Sequence, residues 1–125
     1  MADILVVDDE PGFRQILSII LKRAGHTPRL ANNTAEARAQ IAQAMPDLII
    51  LDDDMPGEKG SDYCRILKAN PTTSHIPVVL YSAGAHARDS AFIASIGADD
   101  AVKKPSMPKD VTDAVERCLA AGAGV

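Results

Sequence analysis

Residues 48–57 read LIILDDDMPG: four apolar residues run directly into three aspartates and then Met-Pro-Gly. An unbroken apolar run of this length suits a strand covered on both faces, as in a parallel sheet. The acids then fall at the strand's carboxyl end. Residues 4–10, ILVVDDE, repeat the arrangement, with Ile4 to Val7 followed by Asp8, Asp9 and Glu10. Two buried strands that both end in acids raise the question of what makes the charge tolerable.

Outward from these runs, strands alternate with helical stripes. Phe13, Ile16, Leu17, Ile20 and Leu21 recur at the spacing of one helix face, and Gly25 is the expected stop. Thr27 to Ala31 reads as a second, weaker strand. Asn33, with Glu36 three positions later, reads as a capping-box start for a helix that ends before Pro46. A helix from about Ser61 to Ala69 stops at Asn70-Pro71, because a residue before proline is steered out of the helical region. Val78 to Tyr81 reads as the fourth strand, and residues 87–96 as a helix closed by Gly97. Ala101-Val102 is a short fifth strand. Val111, Ala114, Val115, Cys118 and Leu119 form the stripe of the last helix. Five strand–helix units predict an α/β parallel sheet with helices on both faces. In such sheets the site lies beyond the carboxyl ends of the strands, where strand order reverses.

The chain has 125 residues, the size of one domain, with 46% hydrophobic residues and a net charge of −4. No apolar run approaches the ~20 residues that span a bilayer, and the N-terminus lacks the pattern of a signal peptide. Cys64 and Cys118 fall in helical patterns and read as buried thiols, which fits a cytoplasmic location. Basic residues are scattered with no aromatics between them, so direct nucleic-acid binding is not expected. The last residues, AAGAGV, read as a frayed tail or the start of a linker.

If the sheet is parallel, one rim gathers the residues just beyond the strands: Asp8-Asp9 after the first, Asp52-Asp53-Asp54 after the third, Ser82 after the fourth and Lys103-Lys104 after the fifth. Two carboxylates ~4 Å apart repel by about 4 kcal/mol at an effective dielectric near 20. A domain stable by only ~5–15 kcal/mol needs a counter-charge for that. Lys104 balances one acid. An all-oxygen ligand set selects a hard cation such as Mg²⁺, which keeps waters and takes up phosphate oxygens.

These residues, in this order, resemble the receiver domain of two-component response regulators. The resemblance rests on the acidic pair, the D-x-x-M-P-G stretch Asp52–Gly57, Ser82-Ala83 and Lys104-Pro105, and it covers residues 3 to about 120. It implies a flavodoxin-like doubly wound fold with strand order 2-1-3-4-5, a receiver domain over residues 1–121, and a tail or linker over 122–125. Asp52 is then the phosphoacceptor, a nucleophile toward a phosphohistidine. Asp8, Asp9, Asp52 and the backbone carbonyl of Asp54 would hold Mg²⁺. Lys104 would pair with Asp52 and then with the phosphate, and Ser82 would donate to a phosphoryl oxygen. Lys104-Pro105 matches the family's cis peptide position.

The implied partners are a histidine kinase or histidine phosphotransfer protein upstream, and an effector protein or a fused output domain downstream. The chain would be a monomer or a phosphorylation-dependent dimer and a signalling switch rather than an enzyme, with slow self-dephosphorylation. Many receivers carry an aromatic three positions before the lysine. Here that position is Ala101, so either read-out runs through loop and helix shifts near 83–88 or phosphorylation couples to output weakly. Asp54 and Gly84 stand where receivers tune dephosphorylation. His26, His75 and His86 stand outside the constellation and take no role.

Two other readings compete with this one. The D-x-D within Asp52–Asp54 also occurs in haloacid-dehalogenase-type phosphatases, but there the nucleophile strand comes first and the extra acids come after the lysine. A flavodoxin-like cofactor binder needs a hydroxyl- or glycine-rich loop after the first strand, where this chain has Asp8-Asp9-Glu10.

Overall fold

The structure is a computed structural model that describes residues 2–104 and 106–123. The Lys104-Pro105 peptide therefore lies outside the described residues. Strands β1 (Asp3–Val7), β2 (Thr27–Ala31), β3 (Leu48–Asp52), β4 (Val78–Ser82) and β5 (Asp100–Lys103) alternate with helices α1 (Pro11–Arg23), α2 (Thr34–Gln43), α3 (Gly60–Ala69), α4 (Ser90–Ile96) and α5 (Pro108–Ala123). All pairings are parallel, and the order is β2-β1-β3-β4-β5, as expected. α5 continues to Ala123, into the stretch read as a tail, while Gly124 and Val125 lie outside the described residues.

The pleat sorts each strand between two cores. Leu5, Val7, Ile49, Leu51, Val78 and Leu80 face Ala37 and Ile41 of α2, Tyr63, Cys64 and Leu67 of α3, and Ile96 of α4. Ile4, Val6, Leu48, Ile50, Val79, Tyr81 and Val102 face Leu17 and Leu21 of α1 and the Val111, Ala114, Val115 and Cys118 stripe of α5. Burial on both faces explains why β1, β3 and β4 carry unbroken apolar runs. Cys64 and Cys118 are free thiols in opposite cores, and burial pushes each up to about 11.

Local signals account for most helix ends. Asn33 Oδ1 accepts from the Glu36 amide at 2.8 Å, and Glu36 Oε1 accepts from the Asn32 amide at 2.6 Å. The Glu36 carboxylate thus reaches one residue before the N-cap, and the Asn33 cap is worth roughly 1 kcal/mol. α1 ends at Arg23, and Gly25 takes the left-handed region at φ 90°.

Two expectations need correction. The single helix expected over residues 87–96 is split into a 3-10 turn, Ala85–Arg88, and the short α4. Asp89 causes the break, since its side chain accepts from the Phe92 amide at 3.1 Å and starts a new helix there. The α1 stripe is also narrower than its sequence spacing. Leu17 and Leu21 are buried, but Ile16 is 53% exposed, at the margin of the face that meets the sheet.

Candidate functional site

Strand order reverses between β1 and β3, which leave in opposite directions across the sheet. Asp8 comes directly after β1 and Asp52 ends β3, so both acids sit at that reversal. Each is 1% exposed. Lys104, just past β5, reaches back between them and is 5% exposed. Its Nζ donates to Asp8 Oδ2 at 2.9 Å and lies 3.2 Å from Asp52 Oδ1. The lysine thus bridges two acids, and its shorter bond is to Asp8.

The remaining oxygens divide into held and free. Asp8 Oδ1 accepts from the Glu10 amide at 2.9 Å, and Asp52 Oδ1 also accepts from the Asp54 amide at 3.1 Å. Asp9 Oδ1 and Asp52 Oδ2 are buried with no hydrogen-bond partner. A buried acceptor left unpaired costs ~1–3 kcal/mol, more when charged. One oxygen each of Asp8, Asp9 and Asp52 lie within 4.8 Å of one another, the only such acidic group among the described residues. The orphaned Asp9 oxygen, the converging acids and an all-oxygen donor set fit a hard divalent cation. Arg14 steadies this turn from α1, donating to the Asp8 carbonyl at 2.7 Å and to Asn32 Oδ1 at 2.8 Å.

Burial pushes the Asp52 carboxyl up to about 6, and the Asp8 charge adds to the rise against the pull of Lys104. Lys104 loses hydration in the same pocket, yet its bonds to Asp8 and Asp52 hold it above its ordinary value. The folded chain therefore binds a proton at Asp52 more tightly than the unfolded chain, so ionising Asp52 costs folding energy. That cost is absent only below the ordinary value of 3.8, grows from there to about pH 6, and levels off above it at ~3 kcal/mol. With divalent cations chelated, the stability of Asp52→Asn relative to the parent should accordingly increase between pH 4 and 7. Urea unfolding of both chains at the two pH values measures it. An unchanged difference would show that Asp52 carries no such strain.

Ser82, at the end of β4, is fully buried. Its hydroxyl donates to Asp54 Oδ2 at 3.2 Å and accepts from the Gly84 amide at 3.1 Å. The amide of Lys104 donates to the Ser82 carbonyl at 2.9 Å, which fixes the two strand ends together. Asp8, Asp9, Asp52, Ser82 and Lys104 are thus gathered on one rim, with Asp54 joined to them through Ser82.

Sequence reasoning passed over Asp53 and His86. Asp53 Oδ1 accepts from the Ser61 amide at 2.9 Å in the first turn of α3. Its Oδ2 lies 3.2 Å from His86 Nδ1, and the imidazole stacks on Phe92 with centroids 3.8 Å apart. Burial pushes the Asp53 carboxyl up, but bonds from Ser61 and His86 outweigh it and hold the group below the usual range. His86 therefore ties the loop after β4 to the loop after β3. Gly60 was missed as well: a Cβ there would run into the Asp52 carbonyl.

A response regulator receiver domain model matches residues 4–116. The DNA-binding response regulator MtrA of Mycolicibacterium smegmatis is 36% identical over 116 residues, which is 93% of this chain and 50% of that protein. The phosphate regulon transcriptional regulatory protein PhoB of Pseudomonas aeruginosa is 34% identical over 116 residues, 93% of this chain and 51% of that protein. Among solved structures, the signal receiver domain of a signal transduction histidine kinase from Syntrophus aciditrophicus matches with a TM-score of 0.87 and 34% identity. That match covers 97% of this chain and 92% of the other. The chain spans about half the length of the curated relatives it matches. The expectation of no contact with nucleic acid finds no support there, because MtrA is described as DNA-binding. Among the described residues, no helix is long and apolar enough to cross a membrane.

Proposed function

The chain belongs to the response regulator receiver family of two-component signalling, and on that premise we propose that Asp52 takes a phosphoryl group from a phosphohistidine on a histidine kinase or phosphotransfer protein. One observation carries the proposal. Asp52 Oδ1 is anchored by Lys104 and the Asp54 amide, while Oδ2 is buried, unpartnered and free to attack. The Oδ2–P bond forms as the P–N bond breaks, and the electron pair leaves on the imidazole nitrogen. Asp8, Asp9, Asp52 and the Asp54 carbonyl would hold Mg²⁺, which when bound neutralises charge on the phosphoryl oxygens. Lys104 supplies a second positive charge there. Ser82, 0% exposed at the end of β4, supplies a hydroxyl donor.

Each event labels the chain once, and the phosphate is lost by slow self-hydrolysis. The chain is then a switch that changes a contact surface for an effector protein or a fused output domain, in the cytoplasm, as a monomer or a phosphorylation-dependent dimer. Incubation with a small phosphodonor such as phosphoramidate, with Mg²⁺ or with chelator, tests this by intact mass. The expected result is one phosphoryl group per chain, acyl-phosphate in its lability, only with Mg²⁺. Many turnovers on a generic phosphate ester, or labelling indifferent to the metal, would refute it.

Asp54 bears on the lifetime. The proton Ser82 would give a phosphoryl oxygen is held by Asp54 Oδ2. Removing that acceptor frees the hydroxyl and takes an acid away from the hydrolytic water. Asp54→Ala should therefore lengthen the phosphate lifetime, by roughly two- to tenfold, the worth of one hydrogen bond. Dephosphorylation at the parent's rate would show that Asp54 has no part in it.

A further inference from the structure

The chain has two phenylalanines, two tyrosines and no tryptophan. One of each, Phe13 and Tyr81, meets the same buried ammonium. Lys104 Nζ lies 4.3 Å from the centroid of the Phe13 ring and 5.2 Å from that of Tyr81. The two rings meet edge to face, at 83° and 6.2 Å between centroids, and so form the walls of a corner. Three elements build it: Phe13 comes from α1, Tyr81 from β4, and Lys104 from the end of β5. Tyr81 is itself held on its far side, its hydroxyl 3.4 Å from Ser106 Oγ in the loop before α5.

The corner answers a difficulty in the site. Lys104 carries its charge on a flexible four-carbon stem, and its ionic partners are Asp8 and Asp52. Those are also two of the three carboxylates placed to hold a divalent cation. As they turn to a cation, the ammonium loses part of its hold when it is needed at the phosphoryl oxygens. Ring faces attract an ammonium through their quadrupole, more strongly where water is excluded, and they do not ligate a hard cation.

We propose that the perpendicular Phe13–Tyr81 pair is a positioning device that keeps the Lys104 ammonium at the phosphoryl-transfer site while Asp8 and Asp52 engage the metal. This role rests on the reading of Asp52 as phosphoacceptor. It makes Phe13 and Tyr81 positioning residues, which act only through Lys104.

The test uses the full chain and two readouts. The first needs no phosphorylation: the Lys104 side-chain methylene protons next to Nζ should resonate upfield in NMR spectra through the ring current, unlike those of Lys103. The second is the rate of labelling by phosphoramidate with Mg²⁺. Phe13→Leu, at a partly buried position, should remove most of the upfield shift, leaving the smaller part due to Tyr81, and slow labelling about five- to tenfold, in line with a desolvated cation–π contact. Phe13→Tyr, which keeps the ring, should recover the shift and most of the rate; general damage to α1 would not sort the two variants by ring. Labelling of Phe13→Leu at the parent's rate, or ordinary Lys104 shifts in the parent, would overturn the proposal. A parent chain that takes no label overturns the reading of Asp52 and this role with it. The two failures are distinguishable, because only the failure of the corner leaves parent labelling intact.

Discussion

Asp52→Asn should take up no phosphoryl group: labelling by a small phosphodonor with Mg²⁺ is expected to fall by more than about a thousandfold, as for loss of a covalent nucleophile. Asparagine keeps the shape and an oxygen for Lys104 and the Asp54 amide, which both meet Oδ1 in the parent. It loses the anionic Oδ2 that the parent leaves unpartnered. The neighbouring acids do not substitute. Asp53 is engaged by the Ser61 amide and His86, and Asp54 by the Ser82 hydroxyl. The variant remains folded, since relief of the Asp8–Asp52 repulsion offsets the lost pairing with Lys104. Labelling at a measurable fraction of the parent's rate, or label mapped to Asp53 or Asp54 in the parent, would remove Asp52 from its assigned role.

Much of this site was legible because a parallel sheet writes it at predictable places. Strands buried on both faces show as unbroken apolar runs, so their ends are easy to locate, and Asp8, Asp52 and Ser82 stand at or just beyond such ends, while Lys104 follows the shorter, half-buried β5. The convergence of these residues needs only the sheet. What stayed hidden depends on where side chains point once helices dock. Phe13 reads in the sequence as one more apolar residue of the α1 stripe and Tyr81 as one more strand residue; that both meet Lys104 comes from how α1 and α5 share one face of the sheet. Ile16 shares the spacing of Leu17 and Leu21 yet lies outside the buried face. The contact of His86 with Asp53 joins loops 33 positions apart and has no local signature. The break at Asp89 did have one, since an aspartate three residues before the Phe92 amide is a cap.

Gly60→Ala tests whether the geometry of Asp52 depends on how α3 is seated. Gly60 opens α3 and is buried against the end of β3. Its amide donates to the Asp53 carbonyl at 3.3 Å. A methyl group at this position overlaps the Asp52 carbonyl, with the carbonyl carbon at 2.7 Å and Asp53 Cα at 3.1 Å. All three neighbours are backbone, so no rotamer change relieves the overlap. Either α3 retreats from the sheet or β3 bends at Asp52, the proposed phosphoacceptor. Overpacking of this kind costs about 3 kcal/mol. The thermal midpoint should then fall by roughly 10 °C and the urea midpoint by about 1–2 M. Gly12→Ala is the control: it lies in the first turn of α1 with open space around it, and alanine there should leave stability unchanged or slightly raised. The displacement also reaches the site, because Ser61, the next residue, holds Asp53, and Asp53 holds His86. Labelling of Gly60→Ala should therefore slow even at temperatures where the variant is folded. A variant as stable as the parent would mean that α3 tolerates a side chain between itself and β3, contrary to the packing that sets the Asp52 backbone.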